Sequence, residues 1–112
     1  MNSLMDSWNY WLNVVSEVAS NYDKPVIITE VGYCSRDGAA SNPGNWETSA
    51  NYNGKVQADC YKALLSQACS FKKITGIFLW QLELGEVGGA NNCDYTPRDK
   101  PAEQVIKDYW GR

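Results

Sequence analysis

Two short runs of β-branched and aromatic residues constrain what this chain can fold into. They are Val26-Ile27-Ile28-Thr29-Glu30-Val31 and Ile74-Thr75-Gly76-Ile77-Phe78-Leu79-Trp80-Gln81. Each follows a stretch of helical periodicity and precedes a long loop. The first run is nearly continuous in apolar character, as expected of a strand covered on both faces in a parallel sheet. Before it, Trp8, Trp11, Leu12, Val15, Val18, Ala19 and Tyr22 recur every three or four residues. That spacing predicts a helix, which Asn2 or Ser3 can cap. Asn21-Tyr22-Asp23-Lys24-Pro25 ends it, because the residue before a proline avoids helical backbone angles. Between the two runs, Val56, Cys60, Ala63, Leu64 and Ala68 predict a second helix over residues 54–71. A third begins near Pro101, a favoured first-turn residue, with Val105, Ile106, Tyr109 and Trp110 facing inward and Gly111 at its end.

The order is helix, strand, long loop, helix, strand, long loop, helix. Such alternation implies parallel strands joined by right-handed helical crossovers. Two parallel strands alone leave unpaired edges on both sides. The expected fold class is therefore α/β, with the chain carrying part of a barrel or a doubly wound sheet. No glycine-rich phosphate-binding pattern follows either strand, so a nucleotide site has no motif behind it. Residues 33–54 and 82–100 form the two loops, rich in Gly and Asn. Loops this long within a compact fold are usually functional.

Composition narrows the function. With 112 residues, 44% of them hydrophobic and 21% charged, the chain can build a modest core and does not read as disordered. The net charge is −3, and no basic stretch exceeds Lys72-Lys73, which argues against a nucleic-acid partner. The longest apolar runs are too short to span a bilayer, so no membrane partner is expected. Residues 1–20 show no basic start followed by an apolar segment of signal-peptide type. There is no histidine, which excludes a Ser-His-Asp triad or a Cys-His dyad within this chain. Acid–base chemistry must then fall to carboxylates, Tyr, Lys or Cys.

The cysteines are Cys34, Cys60, Cys69 and Cys93, with no metal-knuckle spacing, and no metal site is expected. Cys60 and Cys69 share one helical stretch and would stand roughly 13 Å apart, too far to pair. Cys34 and Cys93 each follow a predicted strand and could meet in the rim loops. Free, buried thiols are the alternative for all four.

In α/β barrels, catalytic groups stand at the C-terminal ends of strands. Glu30 is near the end of the first run, and a carboxylate among Val, Ile and Thr is costly to bury unless paired or functional. Trp80 closes the second run, where it either packs in the core or floors a sugar ring. Five Trp and seven Tyr leave both readings open.

Four stretches carry a family resemblance. Lys24-Pro25-Val26-Ile27-Ile28-Thr29-Glu30-Val31-Gly32-Tyr33-Cys34-Ser35, with Asp37-Gly38-Ala39 after it, resembles the seventh strand and loop of clan A glycoside hydrolases. The closest likeness is to the family 113 β-mannanases. Gln57-Ala58-Asp59-Cys60-Tyr61-Lys62-Ala63 resembles the seventh helix of that family, and Gly76-Ile77-Phe78-Leu79-Trp80-Gln81 its eighth strand. Asp94-Tyr95-Thr96-Pro97-Arg98-Asp99-Lys100-Pro101-Ala102-Glu103 resembles the lead into its eighth helix.

The resemblance implies a retaining glycosidase, whose two carboxyl groups stand about 5–5.5 Å apart. It places Glu30 as nucleophile, Trp80 as the aromatic floor beside the scissile bond and Trp46 along the cleft. The general acid of such enzymes lies on the fourth strand, and only a helix fits before Lys24. Residues 1–112 are thus expected to form the C-terminal fragment of a (β/α)8 barrel, from the sixth helix to the eighth, with no separate second domain. A whole barrel takes about 250 residues. The expected substrate is a polysaccharide or oligosaccharide, β-1,4-mannan or a related β-linked chain, and no cofactor is required. Glu47, Glu83, Glu86 and Asp94 read as solvated loop acids.

The isolated chain is expected to be inactive for want of the acid. The rival reading is a non-catalytic truncated homologue that binds glycan or a partner chain, by self-association or with a complementing N-terminal barrel fragment. A third is an independent α/β domain, whose mark would be Glu30 held in an internal salt bridge.

Overall fold

The computed structural model describes residues 1–47 and 49–111. The elements follow the expected order: α1 (Asn2–Asn21), β1 (Val26–Val31), α2 (Gly54–Ala68), β2 (Ile74–Leu79) and α3 (Pro101–Trp110). β1 and β2 pair in parallel, with α2 as the crossover. All three helices supply residues to one core, which is built around Val31, Tyr33, Cys60, Tyr61, Leu64 and Ala102. Tyr33 and Tyr61 meet edge to face with ring centres 5.5 Å apart. The Trp8 indole donates to the Tyr33 hydroxyl at 3.1 Å, which joins α1 to this aromatic pair.

Each helix boundary has a local cause. α1 starts after Met1 with no side-chain cap, so Asn2 and Ser3 do not act as expected. Its end is closed by Lys24 N donating to Ala19 O at 2.9 Å and by Asp23 in the left-handed region at φ 47°. Asp is among the few residues that visit that region readily. Lys73 Nζ then donates to the Asp23 carboxylate at 2.7 Å, which ties the end of α1 to the start of β2. α2 is capped by Asn53, whose side chain accepts from Val56 N at 3.1 Å. It stops three residues before the expected end, where Phe71 N turns back to Ala68 O. α3 starts on Pro101, as read.

The inward face of α1 is narrower than its periodicity suggests. Leu12 and Ala19 are buried and Leu4 and Trp8 pack on the core, but Trp11, Val18 and Tyr22 are exposed. Trp110 on α3 is exposed as well. A helix lying on one layer buries a single stripe, and these residues sit beside it.

The strands also differ from expectation. They are covered on one face, not two: Ile28, Ile77 and Leu79 pack against the helices, while Ile27 and Phe78 are exposed. Among the described residues nothing covers the second face.

All four cysteines are free. Cys34 and Cys60 are buried, Cys93 is half-buried and Cys69 is exposed. The Cys34–Cys93 bridge is therefore absent, and Cys69 departs from the buried alternative because it caps α2 beyond the core.

Candidate active site

The end of β1 carries an irregularity that governs the site. Ile28 pairs with Ile77 and Val31 with Leu79, so Thr29 and Glu30 together oppose the single residue Phe78. This is a bulge, and it breaks the alternation of the strand. Thr29 and Glu30 are both exposed, whereas Val31 returns to the core. Strict alternation would have sent the Glu30 side chain into the helical layer. The bulge turns it to the open face instead, where a carboxylate keeps its hydration.

Glu30 shares a cleft of about 710 Å³ with Trp80 and Trp46. The three residues singled out in the sequence thus come together in one concavity. Trp80 follows β2 directly, and its backbone N–H donates to Val31 O at 2.7 Å, so it continues the sheet past the bulge. The Trp80–Gln81 peptide is cis. The Trp80 carbonyl accepts from the Tyr61 hydroxyl at 3.4 Å. Trp46 lies on the lip formed by the loop after β1, where its carbonyl accepts from the buried Arg36 at 2.8 Å. Both indoles are open to solvent, Trp80 at 45% and Trp46 at 63% exposure.

The loop after β2 forms the other wall. Tyr95 lines the cleft and donates its hydroxyl to Pro43 O at 2.8 Å, bridging the two loops. Burial raises the pKa of this phenol. The loops are also joined through the backbone, where Ser35 N donates to Asp94 O at 3.2 Å, and the first loop closes on itself where Asn53 N donates to Ser35 O at 2.8 Å. Lys100 is buried behind this junction and donates to Ser35 Oγ and Asn92 Oδ1, both at 2.8 Å. Burial lowers its pKa, while the charges of Glu86 and Asp94 oppose that shift.

Three of the four loop acids face the cleft. Glu83, Glu86 and Asp94 line it, and Glu47 does not. Glu86 is not a freely solvated acid. It is half-buried, its Oε2 is enclosed without a hydrogen-bond partner, and Arg98 holds its backbone carbonyl at 2.7 Å. Glu83 accepts from the Gln81 amide.

With Glu30, four carboxylates line the cleft, and no Lys or Arg is among its lining residues. The ion pairs among the described residues are Lys55–Asp59, Lys73–Asp23 and Lys107–Glu103, so none of them engages Glu30. The mark of an unrelated small domain, Glu30 in an internal salt bridge, is therefore not found among the described residues. The sequence motif that contains Tyr95 gives it no role. Its place beside Asp94 in a long loop was the available signal.

The sequence model of Glycoside Hydrolase Family 113 matches residues 2–100. The chain is similar to a solved GH113 β-1,4-mannanase with TM-score 0.87 and 32% identity, over 96% of this chain and 36% of that one. A complex structure of a GH113 β-1,4-mannanase matches with TM-score 0.87 and 31% identity, over the same shares. The GH113 β-mannanase AaManA from Alicyclobacillus acidocaldarius, in complex with ManMIm, matches with TM-score 0.85 and 25% identity, again over 96% and 36%. The chain thus spans about a third of the length of these structures. No curated protein matches it. The two parallel strands and three helices are those of a partial (β/α)8 barrel, as the sequence led us to expect.

Proposed function

Because the chain belongs to glycoside hydrolase family 113, we propose that it carries the nucleophile side of a retaining site for β-1,4-mannan, with Glu30 as the nucleophile. A Glu30 oxygen attacks the anomeric carbon and the glycosidic C–O bond breaks. The leaving oxygen takes its proton from a general acid, which this reading assigns to the fourth barrel strand. Water then releases the sugar from the glycosyl-enzyme. Trp80 floors the sugar ring and Trp46 lines the approach.

The observation that carries this reading is the bulge at Thr29-Glu30, which turns a carboxylate with no ion pair among the described residues into the cleft that holds an exposed indole. The charge of the cleft supports it as well. The transition state resembles an oxocarbenium ion, and fixed negative charge stabilises positive charge developing on the ring.

The acid's proton transfer typically contributes ~10²–10⁴-fold, so this chain alone should not turn over mannan measurably. The nucleophile can still be tested in it. A 2-deoxy-2-fluoro-β-mannosyl fluoride releases fluoride without needing a proton. Attack by Glu30 breaks the C–F bond at the anomeric carbon and leaves one fluorosugar on the carboxylate. Mass spectrometry should map the adduct to Glu30, and Glu30→Gln should remove it. Labelling of Glu83 or Glu86 instead would overturn the assignment.

The two exposed indoles also favour a second reading, glycan binding without chemistry. That reading expects mannooligosaccharides to quench tryptophan fluorescence while the fluoride leaves no adduct.

A further inference from the structure

Gln57 lies in the helix stretch that marked the family resemblance, yet the chemistry above gives it no part. It is fully buried on the first turns of α2. Its Nε2 donates to Tyr33 O at 2.8 Å and to Tyr95 O at 2.9 Å, with a longer approach to Thr96 O at 3.4 Å. An amide nitrogen has two hydrogens, and the two short contacts use both. The acceptors are all carbonyls, so the amide cannot be turned without setting oxygen against oxygen. Its own Oε1 is enclosed with no hydrogen-bond partner among the described residues. A buried acceptor left unmet is a cost. The donors are what offsets it, and they reach one loop on each side of the cleft.

We infer that Gln57 is a positioning residue that sets the width of the cleft, acting through Tyr95 on the Trp46 lip. Tyr33 O lies three residues after Glu30 on the β1 side. Tyr95 O belongs to the opposite wall, and the Tyr95 hydroxyl continues the connection to Pro43 O. Tyr95 also lies against Gly32, where an added Cβ would stand 3.0 Å from its Cδ1. One side chain thus fixes the distance between the strand end that bears Glu30 and the wall that faces it. The role of that width in sugar binding rests on the proposed function, but the relay itself does not.

The test reads geometry with no sugar present. The chain is labelled with 5-fluorotryptophan, and the ¹⁹F resonances are compared in Gln57→Met, Tyr95→Phe and the double variant. Gln57→Met keeps the length of the side chain and removes the donors. Each single variant should shift the Trp46 resonance in the same direction, and the double variant should move it no further, because both break one chain of contacts. Trp11 and Trp110 should stay in place.

In Gln57→Met, the Ser35 amide should also exchange about tenfold faster, as loss of one hydrogen bond's worth of closure implies, while Leu64 and Leu65 in α2 keep their rates. An unmoved Trp46 in Gln57→Met overturns the proposal. So does a common shift of all resonances with uniformly faster exchange, which would give Gln57 a general structural role. Should Gln57→Met not fold, an unmoved Trp46 in Tyr95→Phe still overturns the relay. Failure of fluoride labelling with the relay intact would instead count against the proposed function.

Discussion

Gly32→Ala should damage both the fold and the site, by an amount that follows from three contacts. A Cβ on Gly32 would overlap the Trp80 carbonyl oxygen and stand 3.0 Å from Tyr95 Cδ1 and 3.1 Å from Trp80 Cβ. The overlapped atom is backbone, so relief requires the end of β2 to move away from β1. Overpacking of this kind costs about 1–3 kcal/mol. The movement also stretches the Trp80 N to Val31 O bond, now 2.7 Å, worth about 1 kcal/mol. The sum is roughly 2–4 kcal/mol, against the ~5–15 kcal/mol that holds a typical domain together. At this chain length that lowers the melting temperature by roughly 10–20 °C, which circular dichroism or calorimetry would read.

The control is Gly76→Ala, where the added Cβ meets only Ile27 carbons at 3.6 Å, an ordinary contact. It should be neutral or slightly stabilising, since alanine restricts the unfolded strand more than glycine. Labelling of Glu30 by the mannosyl fluoride should fall in Gly32→Ala and persist in Gly76→Ala. A Gly32→Ala melt within a degree or two of the parent, or an equal loss in Gly76→Ala, would refute the reasoning.

Three further outcomes are expected. Burial pushes the Cys60 thiol up to about 11 and the Tyr33 phenol up to about 12, so the folded state holds both protons more tightly than the unfolded chain does. Their contribution to stability is complete below the unfolded values of about 9 and 10 and is lost as pH rises toward the folded ones, so urea midpoints should fall steadily above about pH 9. In the same folded chain, iodoacetamide should modify the exposed Cys69 first and leave Cys60 unreacted, and early loss of the Cys60 thiol would contradict the core described here. The uncovered sheet face, with Ile27 and Phe78 exposed, should make the chain associate with itself as concentration rises, and sedimentation showing a monomer throughout would count against this.

The alternation of elements was legible because it is local: helical spacing in α1, a continuous β-branched run in β1, and proline at the start of α3. What escaped the sequence depends on distant partners. The bulge at Thr29-Glu30 exists only relative to Phe78 on another strand, so no reading of β1 alone could show which way Glu30 turns. Trp11, Val18 and Tyr22 fit the helical stripe, but periodicity does not reveal how wide a surface the neighbouring elements cover. Nothing in the sequence sets Glu86 apart from other loop acids, because Arg98 reaches its backbone only in the fold. Gln57 and Tyr95 stand in motifs that give them no role of their own, because their partners are carbonyls that carry no sequence signature. Strand-end position and likeness to a family single out Glu30, Trp80 and Trp46. Their meeting in one cleft is a matter of folding.

The backbone bonds from Ser35 to Asp94 and from Asn53 to Ser35 also bear on how such a site can be recombined. The loop after β1 is closed partly on itself and partly on the loop after β2. Transplanting either one alone into a related barrel would separate the Ser35 N–H from the Asp94 carbonyl it meets here. The heritable cassette is therefore the pair, together with the helix that spans them. Chimeras whose crossover points fall outside residues 33–100 should keep their cleft, and those cut within α2 should lose it.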